Sequence, residues 1–382
     1  MHDGHAMTTA EMTAKPPAAP SPAPPSPIPA TRRLGRLGLD IRQDLSAAKQ
    51  AGFLAASIVV GLAISLAILA IAGIAPTQVY EEMIVNTLLN PESLAIVLTQ
   101  AAPLIVVGVS AGLAVRVGFW NLGLEGQMTF GGIGATAVSI YAIGPEETRL
   151  ILMGIFAAIA GMLWVMLAAW LKARFRVNEI ISTLLLNYIA MYFLFHLLYG
   201  AWQDGATAYP QSALYRPFER LPDILPGVNA AMAIALVAVV ITGWFVHLSR
   251  TGFYMRFISA NPSVAKVVGV PIRAVSLGAI AASGALAGIA GFINVSAQEG
   301  RLTQSFSEGY VFSGVLIAFL SRTDPLIAAV VGFLIAVLCV AGQSLQVFYQ
   351  IPLTMVEVIE AIIVLAVASS EFLIRHRIRW IR

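Results

Sequence analysis

The chain is short of charge and of cysteine. Of its 382 residues, 11% are Asp, Glu, Lys or Arg, and one is cysteine. Soluble domains carry about 25% charged and roughly 45–50% apolar residues, whereas here 58% are hydrophobic. A surface so poor in charge does not stay soluble, which excludes a cytosolic enzyme. The single cysteine, Cys339, lies in an apolar block, so no internal disulfide forms and no Cys-based metal site is indicated. His196 and His247 are isolated, near predicted span ends, and no His/Glu cluster has metal spacing. No Gly-Lys pair occurs, because Lys15, Lys49, Lys172 and Lys266 each follow another residue. The phosphate-binding loop of ATPases is therefore absent. If ATP drives this chain, another chain hydrolyses it.

What is present comes in long apolar blocks such as Ala51–Ile74 and Ala230–Val246. A helix needs about 20 apolar residues to cross a bilayer, while barrel strands are about half as long and alternate. The blocks do not alternate, so the expected fold is an all-α polytopic membrane protein. Ten spans are expected, at 51–74, 94–115, 124–143, 150–171, 178–199, 230–248, 274–295, 310–321, 325–346 and 353–372. The third and eighth are Gly-rich with polar flanks, and are expected to be short or partly irregular. Irregular backbone at membrane depth is tolerated only where protein or a water-filled cavity surrounds it.

The first 30 residues hold eight of the 20 prolines and read as a disordered tail. Residues 31–50 carry Arg32, Arg33, Arg36, Arg42 and Lys49, and read as a basic interfacial segment, a helix lying on the membrane before the first span. Residues 51–372 form the transmembrane domain and 373–382 a basic tail. With the N-terminus inside, 19 of the 23 Lys and Arg residues fall on the cytoplasmic side and 4 outside. Both termini are therefore expected in the cytoplasm.

The string Gly118-Phe119-Trp120-Asn121-Leu122-Gly123-Leu124-Glu125 has a partner 173 residues later, Gly291-Phe292-Ile293-Asn294-Val295-Ser296-Ala297-Gln298. The same offset carries 150–171 onto 323–344 and 178–199 onto 351–372. Spans 2–5 and 7–10 then form two copies of opposite orientation, the inverted repeat of alternating-access transporters.

Several polar residues are candidates for the substrate path. Asn121, Glu125 and Gln127 sit among glycines, either in a turn that enters the membrane or in an ordinary loop. Asn294 and Gln298 are their repeat counterparts. Glu179, Thr183 and Asn187 recur every four residues and share a helix face. Adding the offset to Asn187 gives Glu360, also near mid-span, with Glu357 one turn away. A carboxylate there costs about 2.5–3.5 kcal/mol on insertion scales, so it faces an interior or a path. The alternative is a hydrogen bond that glues helices together. In the cytoplasmic stretch 249–273, Asn261 can cap a short helix and Pro262 can begin it. Gly269 and Pro271 then end it. That helix is either a lever for a partner or a simple connector.

The string Phe119-Trp120-Asn121-Leu122-Gly123-Leu124-Glu125-Gly126-Gln127-Met128 resembles a signature of inner-membrane ABC importer permeases of the branched-chain-amino-acid and ribose type. Asn178–Asn187 and the stretch Ala274–Glu371 resemble the nucleoside branch of that family. The resemblance covers roughly residues 50–372. It implies a nucleoside permease, most of all for purine nucleosides, in the bacterial inner membrane. It further implies a second permease of different sequence, two cytoplasmic ATPases that hold the ATP and Mg, and an extracytoplasmic binding lipoprotein. No cofactor on this chain and no nucleic acid partner are expected. Asn261, Pro262, Ala265, Lys266 and Gly269 would then belong to the coupling helix that docks on the ATPase. Ser259 stands where the family commonly has Gly, and Val264 where it has a second Ala. Ribose or another simple sugar is the alternative substrate. An ion-coupled transporter with Glu360 as proton site, and a membrane scaffold without transport, are alternatives of other classes.

Overall fold

The computed structural model describes residues 33–34, 37–41, 47–71, 73–350 and 352–380. The Pro-rich segment 1–30 lies outside them. Helices α1 (Ala47–Ile71) and α2 (Pro76–Tyr80) lead into a π-helical stretch, Glu81–Leu89. Then follow α3 (Pro91–Arg116), α4 (Leu124–Ile140), α5 (Glu146–Phe175) and α6 (Glu179–Leu198). A long connector leads to α7 (Ala231–Leu248), α8 (Arg250–Ala260) and α9 (Pro262–Val267). Helix α10 (Ile272–Ile293) continues as a π-helix, Asn294–Glu299, ahead of α11 (Tyr310–Leu320), α12 (Pro325–Tyr349) and α13 (Leu353–Arg375).

Each of the ten expected spans falls on a helix. Among the described residues, six are long and apolar enough to cross a membrane: α3, α5, α6, α7, α10 with its continuation, and α12. The chain is thus a polytopic helical membrane protein. The two Gly-rich segments give short helices, 17 residues in α4 and 11 in α11. Both are below the length of about 20 that spans a bilayer, and each follows irregular backbone at 117–123 or 300–309.

Local sequence sets the helix starts. Asn90, Asn178, Ser249, Asn261 and Asp324 turn a side-chain oxygen onto the first free N–H groups of α3, α6, α8, α9 and α12. Proline follows the cap in α3, α9 and α12, where its missing N–H costs nothing.

Helix α3 is the axis. Its most apolar window is 72% buried, against 22% for α5, which faces the surroundings. Helix α3 packs on α7, α10, α11 and α12, and α10 packs on α3, α4 and α5. Lipid-embedded helices gain little from hydrophobic burial, so close approach depends on small residues. A Cβ on Gly131 would overlap the backbone of Gly288, and one on Gly161 that of Gly284 and Gly288. On the other side, Gly108 lies under Ile317, Gly314 under Val107 and Gly332 under Ile105.

The chain ends depart from the expected helix on the membrane surface. Strands β1 (Arg33–Leu34) and β2 (Leu37–Ile41) form instead, and β2 pairs antiparallel with β5 (His376–Trp380). Pairing between remote segments satisfies backbone groups that a short isolated helix holds only marginally. It also brings the two ends of the described chain together. The connector between α6 and α7 carries a small hairpin, β3 (Asp223–Leu225) with β4 (Val228–Asn229).

Candidate functional site

The irregular stretch after α3 folds back into the bundle. Gly118, at φ +72, turns the chain, and Phe119 is buried at 1% exposure. Asn121 and Gln127 are both buried and form a reciprocal amide pair. Asn121 Nδ2 donates to Gln127 Oε1 at 3.0 Å, and Gln127 Nε2 donates to Asn121 Oδ1 at 2.7 Å. Asn121 Nδ2 also reaches Ser283 Oγ on α10 at 3.2 Å. Ser283 in turn meets Ser110 of α3, whose Oγ donates to the Ser283 carbonyl at 2.7 Å. A buried chain of hydroxyls and amides thus joins α3, the turn and α10.

Helix α6 brackets the same turn from the other side. Asn187 Nδ2 donates to the Leu122 carbonyl at 2.9 Å, and Asn187 Oδ1 accepts from the Gly126 N–H at 2.9 Å. Thr183 Oγ1 accepts from the Leu122 N–H at 3.3 Å. Thr183 and Asn187 therefore share a face, as their spacing requires, and that face holds backbone. Gly126 has no room for a side chain, because a Cβ would sit 2.9 Å from Asn187 Oδ1 and from Trp164 Nε1. Trp164 stacks on Phe130 at 3.7 Å between centroids, and Phe130 on Phe193 at 5.5 Å. Glu179, one turn earlier, is held by Lys172 Nζ at 2.6 Å and also accepts a hydrogen bond from the backbone of Trp120 in the turn.

A second cluster lies on the α10 continuation. Asn294 donates to the Phe306 carbonyl, and Thr129 and Ser307 share a hydrogen bond at 3.0 Å. Glu125, one turn before Thr129, and Glu308, next to Ser307, lie close enough here to interact as like charges. Among the described residues Asn294 Oδ1 and Ser296 Oγ are buried without a hydrogen-bond partner, an arrangement that leaves acceptor capacity unspent. Gln298 lies apart, donating to the Thr99 carbonyl at 3.2 Å. Asn121 and Asn294 match in burial at 2% each, but their partners differ. Glu357 and Glu360 fall on α13, and their side chains lie outside the described residues. Among the described residues no group of three His, Cys, Asp or Glu can hold a metal ion.

The short helix read from Asn261 to Gly269 is present as α9. Asn261 Oδ1 accepts from the Ser263 and Val264 N–H groups at 3.0 and 3.3 Å, and Gly269 closes the helix at φ +83. Pro262 opens it and Ala265 is fully buried, whereas Lys266 is exposed. Val264, Val267 and Val268 are exposed beside it. Sequence reasoning missed α8, which the cap at Ser249 could have signalled.

It also missed a tie across the other irregular region. Connector residues Ser212, Tyr215 and Leu221 donate their N–H groups to the carbonyls of Leu302, Gly300 and Ser296. Tyr215 shares a hydrogen bond of 2.6 Å with Thr136 on α4, and burial pushes its phenol above the ordinary value. Glu219 pairs with Arg149 of α5 at 3.2 Å, both side chains being almost fully buried. The connector thus straps α4 and α5 to the end of the α10 continuation.

Residues 93–368 match a family model described as branched-chain amino acid transport system / permease component. The glucose ABC transporter permease protein TsgB13 of Haloferax volcanii is 34% identical over 82% of this chain and 87% of its own. The guanosine ABC transporter permease protein NupP of Bacillus subtilis is 30% identical, covering 71% and 79%. The nucleoside ABC transporter permease protein NupB of Lactococcus lactis is 25% identical, covering 82% and 89%. Each of the three organisms has a second permease protein that also matches. The buried turn, the short helix that follows it and the capped α9 lie within the matched span, and the chain belongs to this family of ABC transporter permeases.

Proposed function

We propose that the chain is one of two permeases of an importer that carries nucleosides, purine nucleosides first, into the cytoplasm. The observation that carries this reading is the similarity to guanosine and nucleoside permeases at 25–30% identity across the region that holds the buried turn. A nucleoside is neutral and rich in hydroxyls and ring heteroatoms. The hydroxyls and amides between the 117–127 turn and the 294–308 segment suit such a cargo. The 34% identity to a glucose permease supports a second reading, a simple sugar. Competition separates the two. Uptake of labelled guanosine by the complete complex should be suppressed by unlabelled inosine and unaffected by ribose or glucose. Suppression by glucose and not by inosine would favour the sugar.

The partners in this reading are a second permease of different sequence, cytoplasmic ATPases holding ATP and Mg, and an extracytoplasmic binding lipoprotein. The paired matches in three organisms support two different permeases. In the membrane the chain makes ten crossings with both termini in the cytoplasm. The distribution of basic residues and the pairing of β2 with β5 support that orientation. The basic segment 31–50 rests against anionic lipid.

Two inverted copies, α3–α6 and α10–α13, underlie the path. The 173-residue offset shifts α6 onto 352–371, close to α13, and brings Ser110 onto Ser283. Each copy lends its first helix to the other: α10 lies with α4 and α5, and α3 with α11 and α12. The moving bodies are therefore these exchanged groups, and their seam is the α3–α10 crossing. Helix α9 packs on α10. From Ile272, where α10 begins, to Ser283 is about 17 Å of helix at 1.5 Å per residue. A push on α9 by the ATPase would thus reach the seam through one rigid element.

A further inference from the structure

An apolar cavity of about 240 Å³ lies between α1, the α2 and π-helical stretch, α12 and α13. Leu62, Leu66, Met83, Leu338, Ala341 and Ile363 are among its walls. Among the described residues its polar walls are two. Ser65 is satisfied within its own helix, donating to the Gly61 carbonyl at 2.8 Å, and Tyr80 is largely exposed. Among the described residues the cavity therefore offers no buried unpaired donor or acceptor to a nucleoside or a sugar.

We infer that this cavity binds the acyl chain of a bilayer lipid. Its chemistry selects an apolar guest, and in a membrane-spanning chain the abundant apolar guest is lipid. An engineered apolar cavity of about 150 Å³ already stays dry and takes up benzene, and this one is larger. The packing around it points the same way. Helix α1 packs on α13 and α2. Leu69, Val79 and Leu345 cluster with Ile74 and are themselves walls of the cavity. A lodged acyl chain therefore packs against this cluster and completes the seat of the α1–α13 pair on the bundle. A second copy of the chain or the partner permease would fill the cavity with side chains instead.

The test uses the full chain in nanodiscs of phosphatidylethanolamine and phosphatidylglycerol, with a phosphatidylethanolamine analogue carrying a photoreactive diazirine on its acyl chain. After irradiation, labelled peptides are mapped by mass spectrometry. The expected result is a several-fold higher density of label on 62–69, 79–84 and 338–345 than on the exposed α6 face around Leu184, Leu185, Tyr188 and Tyr192. Equal or lower density on the cavity peptides would overturn the inference. So would their protection from label together with cross-links to another chain. In Ala341→Leu, which fills the cavity, label on these peptides should fall several-fold while α6 labelling holds. Unchanged cavity labelling in that variant would also overturn it. If the variant does not fold, the wild-type map decides alone.

Discussion

Ser110 and Ser283 stand 173 residues apart and touch. The Ser110 hydroxyl lies 2.7 Å from the Ser283 carbonyl and 3.1 Å from its hydroxyl, and both residues are fully buried. That separation equals the offset between the strings that begin at Gly118 and Gly291. Two equivalent residues of a repeat meet only near the axis that relates the copies. The contact is what an inverted repeat would place at its centre. Replacing either serine by alanine should lower stability by about 0.6–1.7 kcal/mol, the range for interhelical hydrogen bonds in membranes. The double variant should cost less than the sum, because one contact is lost in all three. Thermal unfolding of the four proteins in detergent measures this, and strict additivity would separate the two roles.

Asn187 is a bracket in this structure. Asn187→Ala would leave the Leu122 carbonyl and the Gly126 N–H without their partner. Each buried group left unmade costs about 1–3 kcal/mol. Unfolding temperature and uptake should therefore fall together. Lost uptake at unchanged unfolding temperature would make Asn187 a contact of the substrate instead.

Two glycines on α10 separate packing from propensity. A Cβ on Gly288 would overlap the Ala157 carbonyl, while one on Gly278 meets nothing within 4 Å. Gly288→Ala should destabilise by about 1–3 kcal/mol, the usual cost of overpacking. Gly278→Ala should be neutral or gain up to about 1 kcal/mol from helix propensity. Comparable unfolding curves for the two variants would contradict the close approach of α5 and α10.

The strap between α6 and α7 carries a pH signature. Burial raises the Tyr215 phenol above its ordinary value of about 10, so folding favours its neutral form. A raised value means that the contribution is complete below the unfolded value. It is lost only as pH climbs from about 10 toward the folded one. Ultraviolet titration should place Tyr215 among the tyrosines that resist ionisation until the fold opens. In Tyr215→Phe that late phase should shrink by one phenol. An ordinary tyrosine titration in the wild type would count against the buried Tyr215–Thr136 bond.

Much of the fold was legible because its signals are local. Apolar length marks α3, α5, α6, α7, α10 and α12, and glycines with polar flanks mark the short α4 and α11. The ends of α9 follow from Asn261, Pro262 and Gly269, each through a backbone effect at its own position. The packing of α3 on α11 and α12, and of α10 on α4 and α5, was not legible. Packing between remote segments leaves no period in the sequence, and small residues such as Gly131 and Gly288 name no partner. The strand at Leu37–Ile41 was missed for the same reason, since its mate lies at the other end of the chain. The face shared by Thr183 and Asn187 was correctly foreseen from spacing, but spacing does not say that it grips backbone.

The central claim is that an ABC permease pair including this chain imports nucleosides. It is tested most directly by the initial rate of labelled guanosine uptake into cells carrying the whole complex, with the intact ATPase or with its phosphate-loop lysine replaced. The account predicts uptake with the intact ATPase and none above background with the altered one. Uptake that persists after the lysine is replaced would contradict it.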